Sequence, residues 1–207
     1  MSKGLFITFE GGDGSGKSTQ IEKLCEYLKD KGYDVVLSRE PGGTAIGEKI
    51  RTIILDPENS EMDYMTEAFL YAASRAQHVA QVIKPALDAG KVVICDRFVD
   101  SSVAYQGYAR GLGDSIMNIN EYAIGDCMPD LTILLKLDPK KGKKRISTRE
   151  EDRIELEKIE FHQKVFDGYA EIEKNSNGRV VGIDASGGIE EIFNEIVSCL
   201  EDKINGI

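Results

Sequence analysis

The run Leu5-Phe6-Ile7-Thr8-Phe9-Glu10, followed at once by Gly11-Gly12-Asp13-Gly14-Ser15-Gly16-Lys17-Ser18-Thr19, decides the fold. Its first half is a short apolar segment of the kind that forms a buried strand, and its second half spells G-x-x-x-x-G-K-[ST]. Behind that spelling stands a physical demand: phosphate oxygens need several converging donors. Glycines let backbone N–H groups crowd inward, Lys17 reaches the β- and γ-phosphates, and Ser18 offers its hydroxyl to Mg2+. The helix starting near Gly16, with Thr19 in its first turn, points its positive end at the same anion. Glycines alone predict only a turn. Lodged between a strand and a helix, they predict a nucleoside triphosphate site from Gly11 to Thr19.

Further apolar runs at Val35 to Ser38, Val92 to Asp96, Leu131 to Leu137 and Val180 to Asp184 alternate with helical stretches. This alternation predicts an α/β fold: a doubly wound, five-stranded parallel sheet flanked by helices, of the P-loop NTPase kind. Lys17 to Lys31 reads as a helix capped by Gly32, and Ile189 to Leu200 as a last amphipathic one. Thr66 to Ala89 reads as a longer helix with an apolar stripe from Phe69 to Ile83, kinked or stopped early by Pro85.

At 207 residues the chain has the length of one domain, 1–207, without repeat or linker. A formal charge of −10 disfavours nucleic acid as a partner, since binding its backbone needs a basic face. No apolar stretch approaches the roughly 20 residues that span a bilayer. The start is too short for a signal-peptide core, which predicts a cytoplasmic protein without a membrane partner. Cys25, Cys95, Cys127 and Cys199 are scattered with no C-x-x-C pair, as reduced core residues would be.

Ligands of such sheets gather beyond the carboxyl ends of the strands, and those ends are polar here. Arg39, opening Arg39-Glu40-Pro41-Gly42-Gly43-Thr44, is either a ligand for a second phosphate or part of a solvated turn. Asp96 suits second-shell work on Mg2+, and Arg97 offers a planar fork for two phosphate oxygens. Phe69 and Arg75 lie about 120° apart on their helix with Ala72 midway. That leaves room for a flat ring, with Phe69 on its face and Arg75 at an edge carbonyl; the alternative is a core Phe69 and a solvated Arg75. In Ser101 to Gly107, helical spacing sets Ser101 beside Tyr105 and Ser102 beside Gln106, whose amide offers the donor and acceptor that a pyrimidine edge requires. Lys140 to Arg149 holds six basic residues, and Arg153 follows. The segment, about 140–153, is either a wet helix face or a lid that brings an arginine to the charge developing in phosphoryl transfer.

Taken in order, Phe9-Glu10-Gly11 with its P-loop, Arg39 to Thr44, Phe69 with Ala72-Ala73-Ser74-Arg75, Asp96-Arg97-Phe98, Ser101 to Gly107 and Asp152-Arg153-Ile154-Glu155 resemble the thymidylate kinase family. The resemblance implies the nucleoside monophosphate kinase type of fold and transfer of the γ-phosphoryl group of ATP to dTMP, giving dTDP, with Mg2+, in a cytoplasmic homodimer. It implies that Asp13 meets the sugar 3′-hydroxyl and that Arg39 and Arg97 hold the acceptor phosphate. It also implies that Phe69 stacks on thymine, Arg75 and Gln106 read its edge, and Tyr105 crowds the 2′ position. Ser101 joins the substrate side, and Arg51 is a further candidate near the base. This P-loop lacks an arginine, so by the same resemblance the lid provides it, with Arg149 the first choice and Arg153 and Arg145 behind it. Two other readings are a same-fold kinase for another small acceptor, such as a different nucleoside monophosphate or shikimate, and a P-loop nucleotide switch. Against the switch counts the absence of the guanine-reading Asn-Lys-x-Asp motif.

Overall fold

Five parallel strands, β1 (Leu5–Glu10), β2 (Val35–Arg39), β3 (Val92–Asp96), β4 (Leu131–Lys136) and β5 (Val180–Asp184), form one sheet in the order β2-β3-β1-β4-β5. They belong to a computed structural model that describes residues 4–146 and 150–204. In chain order the helices are α1 (Lys17–Asp30), α2 (Ala45–Leu55), α3 (Tyr64–His78), α4 (Lys84–Asp88), α5 (Val99–Ser102), α6 (Ser115–Ile124), α7 (Pro139–Ile146), α8 (Ile159–Asn175) and α9 (Ile189–Ile204). The doubly wound α/β sheet expected from the sequence is present, with strand ends displaced by a residue or so. Among the described residues no helix is long and apolar enough to cross a membrane.

Period-2 alternation sorts β1 between two cores. Leu5, Ile7 and Phe9 pack with Leu24 and Leu28 of α1 and Ile196 of α9, while Phe6 packs with Val79, Ile83 and Ile124 on the other face. Register then positions the site: Asp96 of β3 lies level with Phe9 of β1 and Arg39 of β2. The P-loop, the Arg39 corner and the Asp96-Arg97 corner therefore open at one rim.

The long helix expected from Thr66 starts earlier, because the Asp63 carboxylate accepts from the Met65 and Thr66 N–H groups and caps α3 at Tyr64. After His78 the chain stays helical but widens into a π-turn over Val79–Ile83 before α4 resumes. Pro85 stands at the start of α4, where a missing N–H is least costly, so the wide turn absorbs it. A second π-turn, Val103–Ala109, carries Tyr105 and Gln106, so each turn there holds more residues than in the α-helix suggested by the sequence and four-residue neighbours fall out of line.

Candidate active site

Gly16 closes the P-loop at φ 92°, a left-handed conformation that favours glycine, and α1 begins with no side-chain cap on its first N–H groups. Those donors and the positive helix end face a cavity of about 690 Å³ lined by Asp13, Gly14, Gly16, Lys17, Ser18 and Thr19. Gly11, Gly12 and Ser15 support the turn without lining that cavity. Gly11 (φ 132°) passes so close to β4 that a side chain would strike the Leu135 carbonyl. Lys17 is buried, with Nζ donating to the carbonyls of Gly11 (3.2 Å) and Gly12 (3.3 Å). Burial, and then the like charge of Arg97, lower its pKa. An ammonium so placed gains from a nearby anion.

Arg97 and Asp13 face the same cavity, joined by a 2.7 Å ion pair from Nη2 to Oδ1. Burial acts against the Asp13 carboxylate, but Arg97 and Lys17 outweigh it and hold its pKa below the ordinary value. The Arg97 backbone is left-handed at φ 68°, which costs a non-glycine residue roughly 1–2 kcal/mol. Surrounding bonds hold it there. Its N–H donates to the Phe9 carbonyl at 2.9 Å, and buried Glu10 gathers the turn that follows. Glu10 accepts from the Phe98 N–H (2.8 Å), the Ser101 N–H (3.2 Å), the Ser101 hydroxyl (2.6 Å) and the Tyr169 hydroxyl (2.7 Å). Burial first, and the Asp100 charge second, push Glu10 up to about 7, although Arg97 and both hydroxyls pull downward.

On the β2 side, Arg39 and Arg51 converge on the Pro41 carbonyl at 3.3 and 2.9 Å, and Arg39 also pairs with Glu48. Two guanidinium groups meet there, with the Glu48 carboxylate on Arg39 and the Asp152 charge acting on Arg51. Among the described residues Asp96 Oδ1 and the Tyr105 hydroxyl are buried without a hydrogen-bond partner, and both residues line the cavity. Such atoms are rare in folded proteins. An occupant of the cavity would satisfy them.

Glu67, Tyr71 and Arg75, each four residues from the next, form one face of α3. Tyr71 and Arg75 line the cavity. Phe69 does not, and its side chain is 55 % exposed. The expected pairing of Phe69 with Arg75 fails on geometry: six residues leave the two about 120° apart, whereas four bring Tyr71 within about 40° of Arg75. The aromatic ring that α3 turns to the cavity is Tyr71. Nor is Arg75 solvated; Nε donates to Glu40 (2.8 Å), Nη1 to Ser102 (2.9 Å) and Asn120, and Nη2 to the Phe98 carbonyl (2.9 Å). Ser101, Tyr105 and Gln106 line the same cavity.

The lid segment meets the P-loop backbone to backbone. A side chain at Gly142 of α7 would collide with the Asp13 carbonyl, and one at Gly14 with the Gly142 carbonyl. Arg145 Nη1 donates to the Gly14 carbonyl at 3.2 Å, and Arg149 lies outside the described residues. Arg153, expected near the transferred group, is buried off the cavity wall instead. It donates to the Ile54 carbonyl (2.7 Å) and to Glu67 (2.6 Å). Breaking a buried pair of this kind costs about 3–5 kcal/mol, which keeps Arg153 a strut. Four-residue spacing was the signal for Tyr71 and Glu67; nothing local links Glu10 to Tyr169, 159 residues away.

A cavity lined by a P-loop and by the strand-end arginines Arg39 and Arg97 has the make-up of a P-loop phosphotransferase. The family model described as thymidylate kinase matches residues 9–196. The chain is 51% identical to the thymidylate kinase of Geobacillus sp. (strain WCH70), covering 99% of each chain, and 51% identical to that of Finegoldia magna, covering 96% and 98%. It superposes on the crystal structure of thymidylate kinase from Ehrlichia chaffeensis with a TM-score of 0.79 at 36% identity, over 96% of this chain and 99% of that one. The chain belongs to the thymidylate kinase family.

Proposed function

We propose that this chain transfers the γ-phosphoryl group of ATP to dTMP, giving dTDP and ADP. The observation that carries the reading is one cavity onto which both the P-loop and the set Tyr71, Arg75 and Gln106 open. The P-loop N–H groups and Lys17 hold the triphosphate, and Arg39 and Arg97 hold the acceptor phosphate. Asp13, fixed by Arg97, accepts from the sugar 3′-hydroxyl. Tyr71 stacks on the base, Arg75 and Gln106 meet its edge, Tyr105 crowds the 2′ position, and Arg51 supports the Arg39 corner. No side chain needs to act as general base, because phosphoryl transfer calls chiefly for positioning and charge stabilisation. Arg145, beside the P-loop, and Arg149 are the lid cations for that charge.

Mg2+ suits the oxygen donors present, since Ser18 and Asp96, whose Oδ1 lacks a partner among the described residues, would hold it and it would offset charge on the β- and γ-phosphates. We also infer a homodimer. Phe69, Ala73, Ala76 and Ala80 form an exposed apolar stripe, and neighbouring α2 carries exposed Ile46 and Ile53. A second copy of the chain would cover such a face. Buried thiols at Cys25, Cys95 and Cys127 support a reducing, cytoplasmic setting.

The test is ATP consumption with and without dTMP, then with dCMP and AMP. Strong dependence on dTMP is expected. Equal rates with all three acceptors would replace this reading with a different acceptor kinase, and acceptor-independent hydrolysis preferring GTP would replace it with a switch.

A further inference from the structure

Glu67 is fully buried, and no step of the reaction above uses it. Its Oε1 accepts from Gln106 Nε2 (2.9 Å) and Arg110 Nε (3.3 Å), and its Oε2 accepts from Arg110 Nη2 (3.1 Å) and Arg153 Nη2 (2.6 Å). Arg110 is itself fixed between the rings of Tyr64 and Phe161, at 4.6 and 4.5 Å from their centroids. We infer that Glu67 is a positioning residue that sets base specificity by locking the amide of Gln106 with its oxygen toward the bound base. The inference rests on the reading that dTMP occupies this cavity.

The argument is one of donor and acceptor counts. A carboxylate only accepts, so the amide face of Gln106 turned to Glu67 must be its nitrogen. The acceptor end is then left for the base. Thymine presents N3–H, a donor that this oxygen welcomes; cytosine presents N3 as a bare acceptor, which it repels. Arg75 adds to the choice, because a guanidinium suits the O4 carbonyl of thymine and not the amino group of cytosine.

Glu67→Gln tests this with almost no change of shape. The new amide has one oxygen, and the Oε2 position, facing Nη2 of Arg110 and of Arg153 at 3.1 and 2.6 Å, retains it against the single 3.3 Å guanidinium contact at Oε1. Its NH2 then faces Gln106, whose amide must turn over and present nitrogen to the base. We expect the dTMP:dCMP ratio of kcat/KM to fall by about tenfold or more, while the KM for ATP stays within about twofold, because the P-loop is untouched. Glu67→Asp keeps an acceptor-only head, and its ratio should stay within about threefold of wild type.

An unchanged ratio in Glu67→Gln, or an equal loss for both substrates, would overturn the proposal; so would an equal shift of the ratio in Glu67→Asp. Should Glu67→Gln not fold, a neutron-diffraction structure of the dTMP-bound wild type decides, because deuterium atoms mark which end of the Gln106 amide is nitrogen. Gln106 Oε1 within hydrogen-bond distance of N3 supports the proposal, and Nε2 in that place refutes it. A wild-type enzyme without dTMP-dependent turnover would remove both this inference and the reading beneath it, an outcome separable from a change of ratio alone.

Discussion

On the P-loop side of the cavity the donors are backbone N–H groups of neighbouring residues, aimed by glycine torsions at Gly14 and Gly16. On the proposed acceptor side they are side chains from β2, α2, α3, the β3 corner and a π-turn, and three of them have a carboxylate behind them. Asp13 holds Arg97, Glu40 holds Arg75, and Glu67 holds Gln106. The first arrangement depends on what is absent, a Cβ, and tolerates much else. The second depends on fixed charge in a low-dielectric interior, where each partner matters more than its distance from the reaction suggests.

The largest effects should come from Lys17 and Arg97, the two cations proposed to meet phosphate. Lys17→Ala and Arg97→Ala are each expected to lower kcat/KM about 10²–10³-fold, with KM for dTMP rising chiefly in the Arg97 variant. Steady-state kinetics beside a thermal melt checks both, and nearly full turnover in either would remove that residue from the mechanism. The next effect separates backbone fit from charge. Gly142→Ala adds one methyl group where α7 meets the Asp13 carbonyl, so the lid must shift. A displacement of that kind is expected to cost about 10²-fold in kcat, with the fold intact. Wild-type kcat in this variant would mean that the contact plays no part in turnover.

Legibility follows the same division. The P-loop could be read because its ligands are contiguous and glycine reports its own torsion, and the β-α alternation carried the sheet as far as Asp96 and Arg39 at one rim. The α3 face was half read. Arg75 lines the cavity, but the apolar stripe points to Phe69, whereas the four-residue spacing that sets Glu67, Tyr71 and Arg75 in line points to Tyr71. Arg153 looked catalytic because a lid arginine is normally free, and nothing nearby in sequence announces Glu67 as its partner. The Glu10 cluster joins residues from β1, the β3 corner and α8. Only the folded chain brings them together.

That cluster offers a measurement on stability rather than turnover. Folded Glu10 takes up its proton as pH falls through about 7, and the unfolded chain does so only near the reference value of 4.5. Between those values the folded state binds more protons, so stability falls as pH rises across the window. At about 1.36 kcal/mol per unit, the shift from 4.5 to about 7 sets an upper limit of about 3 kcal/mol. Glu10→Gln removes the titration. Its melting temperature relative to wild type should therefore rise between pH 5 and pH 8, and a difference that stays flat over that range would show that Glu10 does not titrate there.

The smallest effects test which aromatic serves the base. Tyr71 and Phe69 sit two residues apart on α3, about 200° around its axis, one lining the cavity and the other on the outer stripe. Stacking of a base on an aromatic ring is worth about 1–3 kcal/mol. Tyr71→Ala is accordingly expected to raise KM for dTMP about tenfold, while KM for ATP and the melting temperature change little. Phe69→Ala should leave KM for dTMP where it was, because its ring touches no part of the cavity. Its effect should fall on self-association, read by sedimentation, if the exposed stripe is where two copies meet. A reversed outcome, with Phe69 governing dTMP and Tyr71 silent, would move the base to the outer face of α3 and take Arg75 and Gln106 out of its recognition.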